Sequence, residues 1–312
     1  MAVRIGLGLA DFPFSDAAAF WRWVRLCEAG GVDSLWQSDR LAGPAPFLEC
    51  MSVMAALAGA TERMRFGMNV LALGFRDPLI VAKECATIDF LSGGRFLPGV
   101  GVGALGSPDW RVTGTATEGR GARTDEALEI ITRLWRGETV DFEGRWFRYR
   151  GAAILPLPAQ RPMPLWLGGS APAAIRRAAR FGDGWHAGVE SVKEVGPVVA
   201  AIKAAAVEAG RPMQDDHFGA SFAYRFGPDD HPAVEARRAG YRKAFPTRDS
   251  HHVVVTGGAA EILQRLKAYE AAGVTKFILR PAASGDADVF DQTERLIGEV
   301  IPAVHGPKAA AP

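Results

Sequence analysis

Short apolar stretches rich in β-formers recur eight times along this chain, each followed by a longer stretch of helical periodicity. They cover residues 5–9, 34–37, 65–69, 95–99, 165–168, 184–187, 218–226 and 276–279. Strand and helix in alternation describe βαβ units, whose strands lie parallel, and eight such strands close a barrel. The expectation is an α/β fold, a single (β/α)8 TIM barrel, and a length of 312 residues suits that fold with one excursion.

The helical stretches carry their own punctuation. Ser15-Asp16 precedes an apolar series that stops at Gly30-Gly31, and Asp77-Pro78 opens one that stops near Ser92-Gly93-Gly94. Further helices are expected at 47–60, 119–136, 171–181, 191–209, 257–272 and 286–302, with an extra one at 231–245. Residues 103–164 are too many for a plain connection, so an insertion is expected after the fourth strand, holding a hairpin of 139–142 and 145–149 around Glu143-Gly144. One domain is expected over 1–306, with a disordered tail at 307–312.

Composition excludes several classes of function. Lys and Arg number 36 against 35 for Asp and Glu, which leaves no basic surplus to hold nucleic acid. No apolar run approaches the roughly 20 residues that span a bilayer, and the first residues enter a strand pattern instead of a signal peptide. Three cysteines, Cys27, Cys50 and Cys85, fall in helical patterns without CxxC spacing, as buried reduced thiols of a cytoplasmic protein would. Without HxH, HExxH or GxSxG, neither a metal site nor a hydrolase nucleophile is expected.

A series of segments then points to a family. Gly31-Val-Asp-Ser-Leu-Trp-Gln-Ser-Asp39 is followed by Thr61-Glu-Arg-Met-Arg-Phe-Gly-Met-Asn-Val70, Arg76-Asp-Pro78, Ala82-Lys-Glu-Cys-Ala-Thr-Ile-Asp89 and Leu91-Ser-Gly-Gly-Arg95. Next come Gly99-Val-Gly-Val-Gly103, Arg120-Gly-Ala-Arg-Thr-Asp-Glu-Ala-Leu128, Leu165-Trp-Leu-Gly-Gly-Ser170, Arg180-Phe-Gly-Asp-Gly-Trp185 and Ala271-Ala-Gly-Val-Thr-Lys-Phe277. In this order the series resembles the bacterial luciferase-like superfamily of flavin- and coenzyme F420-dependent oxidoreductases. The resemblance implies a barrel enzyme with a flavin or deazaflavin pocket at the C-terminal ends of its strands.

Candidate cofactor-binding residues follow from that geometry. Asp39 could accept a hydrogen bond from the polar edge of the ring, or it could cap its loop or pair with Arg40. The resemblance implies a non-proline cis peptide at Asn69-Val70 behind the ring. Gly99, Gly101 and Gly103 would let the backbone approach a flat ring, since glycine has no Cβ to intrude. Gly168-Gly169-Ser170, ahead of a helix start, suits the ribityl phosphate, although an ordinary βα turn with a serine cap fits too. Arg280, ending the eighth strand, could bind the phosphate or an acidic substrate, or form an ion pair.

Two residues are candidates for chemistry. Some relatives carry a histidine base where this chain has Arg40, and a guanidinium cannot act as a base near neutral pH; it could orient an anion, stabilise developing charge or form a salt bridge. His186, in the sixth strand, could serve as acid, base or hydrogen-bond donor, or be structural. Relatives acting on sugar phosphates or methylene donors carry a carboxylate where Ala104 stands. The former also bring a threonine and a lysine to the places of Gly188 and Ser191, so a hexose phosphate is not expected as substrate.

The leading expectation is a luciferase-like monooxygenase using reduced FMN and dioxygen on a small organic substrate, supplied by a separate flavin reductase. The alternatives are coenzyme F420-dependent hydride transfer and a flavin-binding barrel without turnover. Aromatic residues near strand ends, among them Phe12, Phe14, Trp36, Trp110, Trp166 and Trp185, would keep such a pocket dry. Apolar helices at 47–60 and 78–91 are expected to pair with a second copy in a homodimer.

Overall fold

Helix starts are set by side chains that satisfy the unpaired amides of a first turn. Asp16 accepts from the Ala19 N–H at 2.7 Å and Asp77 from those of Leu79 and Ile80, with Pro78 at the first helical position. The computed structural model describes residues 3–9, 12–43 and 45–305, so the expected tail at 307–312 lies outside the described residues.

In chain order the first elements are β1 (Arg4–Leu9), α1 (Ala17–Ala29), β2 (Ser34–Gln37), α2 (Cys50–Ala60), β3 (Arg65–Met68), β4 (Leu71–Ala72) and α3 (Pro78–Leu91). There follow β5 (Phe96–Leu97), β6 (Gly99–Gly101), α4 (Pro108–Thr113), α5 (Arg120–Trp135), β7 (Val140–Glu143), β8 (Arg148–Ala152), β9 (Trp166–Gly168) and α6 (Pro172–Phe181). The remainder is β10 (Gly184–Ala187), α7 (Val192–Glu208), β11 (Phe218–Phe226), α8 (Pro232–Ala244), β12 (Val254–Gly257), α9 (Ala259–Ala271), β13 (Lys276–Pro281), α10 (Gly285–Arg295) and α11 (Ile301–His305). No helix among the described residues is long and apolar enough to cross a membrane.

The chain forms two compact units, one from residues 1–36, 186–200 and 215–312, the other from 37–185 and 201–214. In the first unit β1 and β11 both pair with β13, and β12 pairs with β11, all parallel. Phe218, Phe277, Tyr224 and Tyr269 are buried there. In the second unit β3 pairs with β5, β4 with β6 and β6 with β9, again in parallel. Its core includes Phe66, Phe96, Leu128 and Trp185. The fold class is therefore α/β with parallel strands, as the alternation predicts.

Several expectations shift in detail. The third apolar stretch ends as β3 at Met68, with β4 added beyond Asn69-Val70 outside its expected bounds, and the fourth is broken into β5 and β6 at Pro98, which lacks a ladder N–H. The hairpin is β7 with β8, so its second strand starts at Arg148 instead of residue 145. The N–H groups of Arg145, Trp146 and Phe147 instead donate to the Glu126 carboxylate on α5. Strand β12 was not expected. The final helix, expected unbroken over 286–302, passes through a π-helical turn at Leu296–Val300, just before Pro302, whose nitrogen cannot continue the ladder.

Candidate active site

The second unit gathers most of the candidate residues at the C-terminal ends of its strands. Asp39, two residues beyond β2, keeps only 2% of its side chain exposed. Its Oδ2 accepts from the Ala72 N–H at 2.9 Å and from Arg76 Nη1 at 2.7 Å, and its Oδ1 accepts from Arg76 Nη2 at 2.9 Å. Arg76 also donates to Glu49, the N-cap of α2, at 3.2 Å. Burial would lower the guanidinium's pKa, but these two carboxylates hold it above its ordinary value. Asp39 is thus paired with Arg76 and not with Arg40.

Between those anchors the chain turns inward. The Asn69 N–H donates to the Gln37 carbonyl at 2.8 Å, and the Asn69-Val70 peptide is cis, as the resemblance implied. Asn69 and Val70 are both half-buried. The glycines that follow serve the chain's own packing. A Cβ on Gly99 would strike the Met68 carbonyl, and one on Gly101 would lie 2.8 Å from Val70 Cγ2. Gly103, at φ +77°, faces the Trp110 indole, which a Cβ would approach to 2.8 Å. Trp110 packs on Phe75 with ring centroids 4.2 Å apart and donates from Nε1 to the Ala104 carbonyl.

Arg40 sits on the loop that leaves β2. Its Nε is 4.0 Å from Asp109 Oδ2, its guanidinium lies 5.6 Å from the Phe47 ring centre, and its side chain is 38% exposed. Asp109, buried in the first turn of α4, does more than face Arg40. Its Oδ1 accepts from the Leu41 and Ala42 N–H groups, and its Oδ2 from the Ser107 hydroxyl. Sequence reasoning missed Arg76 and Asp109 as organising groups; Ser107-Pro108, an N-cap followed by proline, was the local signal for α4.

Beyond β9, Gly169 adopts φ +101° and its carbonyl accepts from Trp185 Nε1 at 2.9 Å. Helix α6 opens at Pro172 with Ala171 as its N-cap and no side-chain cap bond, so Ser170 does not cap it. Gly168 and Ser170 are half-buried and Gly169 is exposed. First-turn amides without a side-chain acceptor favour an anion.

His186 and Arg280 belong to the first unit. His186 is buried in β10, its ring 4.6 Å from that of Trp36 at 83°, and a Cβ on Gly219 would collide with it. Burial, helped by Lys276 and Arg280, pushes its pKa down to about 3 and keeps the imidazole neutral. A polar chain supports Trp36: its Nε1 donates to Ser34 Oγ at 2.9 Å, Ser34 donates to Asp33, and Lys276 Nζ donates to Asp33 at 2.6 Å. Burial alone would raise the Asp33 carboxyl, but Lys276 and Ser34 hold it below its ordinary value. Arg280, half-buried near the end of β13, lies across Gly8. The three cysteines are buried, and burial pushes each thiol well up, which leaves them unreactive.

The family model for luciferase-like monooxygenases matches residues 13–286. The chain belongs to the luciferase-like monooxygenase family. This luciferase-like chain is similar to an uncharacterised protein of Mycobacterium tuberculosis, 38% identical over 65% of this chain and 75% of the relative. It is also similar to the F420-dependent glucose-6-phosphate dehydrogenase of Mycolicibacterium fortuitum, 32% identical over 68% of this chain and 66% of that one. The fold matches an F420-dependent secondary alcohol dehydrogenase in complex with an F420–acetone adduct, with TM-score 0.84 and 22% identity over 97% of this chain and 99% of that one.

Proposed function

We propose that this luciferase-like chain is a (β/α)8 barrel, with an insertion after its fourth strand, that transfers hydride between coenzyme F420 and a small organic substrate carrying no phosphate. The barrel reading rests on the eight βα repeats and on the parallel pairing of β3 with β5 and β4 with β6, which are halves of the third and fourth strands. The observation that carries the choice of F420 is sequence similarity to F420-dependent dehydrogenases, three of them 32–37% identical. The order of the two cofactor readings taken from sequence is thereby reversed.

The residues present fit such a cofactor. Half-buried Asn69 and Val70 lie against β6, where Gly99 and Gly101 leave room for the Met68 carbonyl and Val70 Cγ2 and so let this wall form, and the α6 start, which has no side-chain cap bond, offers a place for a phosphate. Asp39 and Arg76 would hold the wall formed by Asn69, Val70, Gly101 and Gly103. Gly168, Gly169 and Ser170 would take the phosphate tail. F420, when bound, supplies or accepts a hydride.

Arg40, kept near Asp109, would stabilise negative charge building on a substrate oxygen. With Arg40 and Ala104 at the places where relatives carry a histidine base and a carboxylate acid, neither position can take up or release a proton at neutral pH, so the proton gained or lost alongside the hydride would be exchanged with water. His186, held neutral far below physiological pH, contributes a fixed wall beside Trp36 instead of proton transfer. Ser191 spends its hydroxyl and amide on Glu194, which supports a substrate other than a hexose phosphate.

Purified protein titrated separately with F420 and FMN tests the reading. Saturable quenching of F420 fluorescence with weaker FMN binding is expected. FMN binding without F420 binding would restore the second reading, a monooxygenase fed by a flavin reductase, which the family's description favours. Binding of either cofactor without turnover of any carbonyl, alcohol or imine tried would leave the non-catalytic barrel. A cytoplasmic setting, where the three thiols stay reduced, suits all three.

A further inference from the structure

The first unit contains a cavity of about 260 Å3 that the proposed function does not use. Leu9, Phe14, Trp23 and Val289 give it apolar walls, Ala236 of α8 closes one side, and Ser284 stands at the rim. Its position follows from the elements that frame it: the end of β1, the start of α10 and one face of α8, with Trp23 fixed by its Nε1 bond to Thr293 at 2.9 Å.

Size and charge together specify what such a space can hold. Cavities for drug-sized ligands run from about 300 Å3 upward, and an apolar cavity of about 150 Å3 suffices for benzene, so this one suits a single ring with a short substituent. Among the described residues, the neighbouring charges are already answered within the chain. Asp286 accepts from both the amide and the hydroxyl of Ser15, Asp288 accepts from Arg225 and the Ser284 amide, and Arg237 at the rim has a partner of its own. A charged ligand would be desolvated against apolar walls with no counter-charge gained. Ser284 occupies the N-cap position of α10 but makes no cap bond with its side chain, and among the described residues this leaves its hydroxyl for a ligand oxygen.

We propose that this cavity is a binding site for a small uncharged organic molecule, one ring or its aliphatic equivalent bearing a single hydroxyl or carbonyl, with Ser284 Oγ bonding that oxygen. Its apolar body would pack on Trp23, Phe14 and Val289.

The test uses 4-fluorobenzyl alcohol as probe and ligand-observed fluorine NMR on the full-length protein, with neither F420 nor FMN present, so that the outcome does not depend on the proposed catalytic function. Saturable binding is expected, weakened at least about tenfold, or 1.4 kcal/mol, by Ala236→Trp, which fills the space from an exposed helix position. Ser284→Ala should weaken the alcohol several-fold while leaving 4-fluorotoluene unchanged. Failure of the probe to saturate, or equal affinity in the wild type and Ala236→Trp, would overturn the proposal; equal loss of alcohol and toluene in Ser284→Ala would overturn the hydroxyl's role. Circular dichroism and thermal melting matching wild type confirm that both variants are folded.

Discussion

Removing the Arg76 guanidinium would strand the Asp39 carboxylate, almost wholly buried, with a single backbone N–H to answer it. Breaking one partner of a buried ion pair costs about 3 to 5 kcal/mol, whereas exposed pairs are worth little. Arg76→Met should therefore lower unfolding stability by about 3 kcal/mol in a urea titration, a value at the lower end because Arg76 keeps 14% of its side chain exposed. An effect under about 0.5 kcal/mol would mean that the pair contributes nothing in solution. His186 makes the opposite kind of prediction, since its folded pKa lies near 3, below the ordinary 6.5 of the unfolded chain. Between those values the unfolded state binds more protons, so acid favours unfolding. Stability should fall by up to about 1.4 kcal/mol per pH unit on going below about 6.5, and the loss should level off near pH 3. His186→Asn should show a flatter dependence from pH 6.5 to 4.5 than wild type, whatever its absolute stability. Parallel profiles would show that the imidazole is solvated.

At the scale of elements, α4 and the loop after β2 are bound by one carboxylate, so they should loosen together. Asp109→Ala deprives the Leu41 and Ala42 amides of their acceptor, at about 1 to 3 kcal/mol. If the loop opens locally, trypsin should cut after Arg40 roughly tenfold faster than in wild type, one decade for each 1.4 kcal/mol. Unchanged cleavage would show that Asp109 does not hold the loop. Gly103→Ala probes the other face of α4, where a left-handed φ and the Trp110 ring both resist a methyl group, and about 1 to 3 kcal/mol of destabilisation is expected. Elements like these explain what sequence reading reaches and what it misses. The helix starts at Asp16 and Asp77 were legible because cap and amide lie within three residues of each other. So was the α/β class, because the alternation of strand and helix patterns is local. The pairing of Asp39 with Arg76 joins residues 37 apart, and Asp109 reaches back 67 and 68 residues. No periodicity signals contacts of that kind, so Asp39 and the glycines of β6 read as ligand-facing when much of their work is internal. The family motifs carried the family assignment further than the chemistry of any single residue did.

At the scale of the molecule, the apolar surface left on α3 is where the expected homodimer would form. Both α2 and α3 were expected to face a second copy, but α2 keeps Cys50, Met51, Val53, Met54 and Leu57 buried within its own unit. On α3, Ile80 and Leu91 are 58% and 61% exposed, and with Glu84 and Thr87 between them they follow the spacing of one helix face. Phe90 lies beside Leu91 at 57%, and Leu155, 77% exposed, is drawn to the same helix by a bond from Lys83 to its carbonyl. A twofold axis across this face would set the Ile80 end of one helix against the Leu91 end of its counterpart, so that one stripe supplies both sides of the contact. Light scattering after size exclusion should therefore report about twice the 33.4 kDa of one chain. The double variant Ile80→Arg, Leu91→Arg should run as a monomer with an unchanged circular dichroism spectrum, because both positions lie outside the core and two like charges would meet at each end. A monomeric wild type, or a double variant that stays dimeric, would remove α3 from the interface.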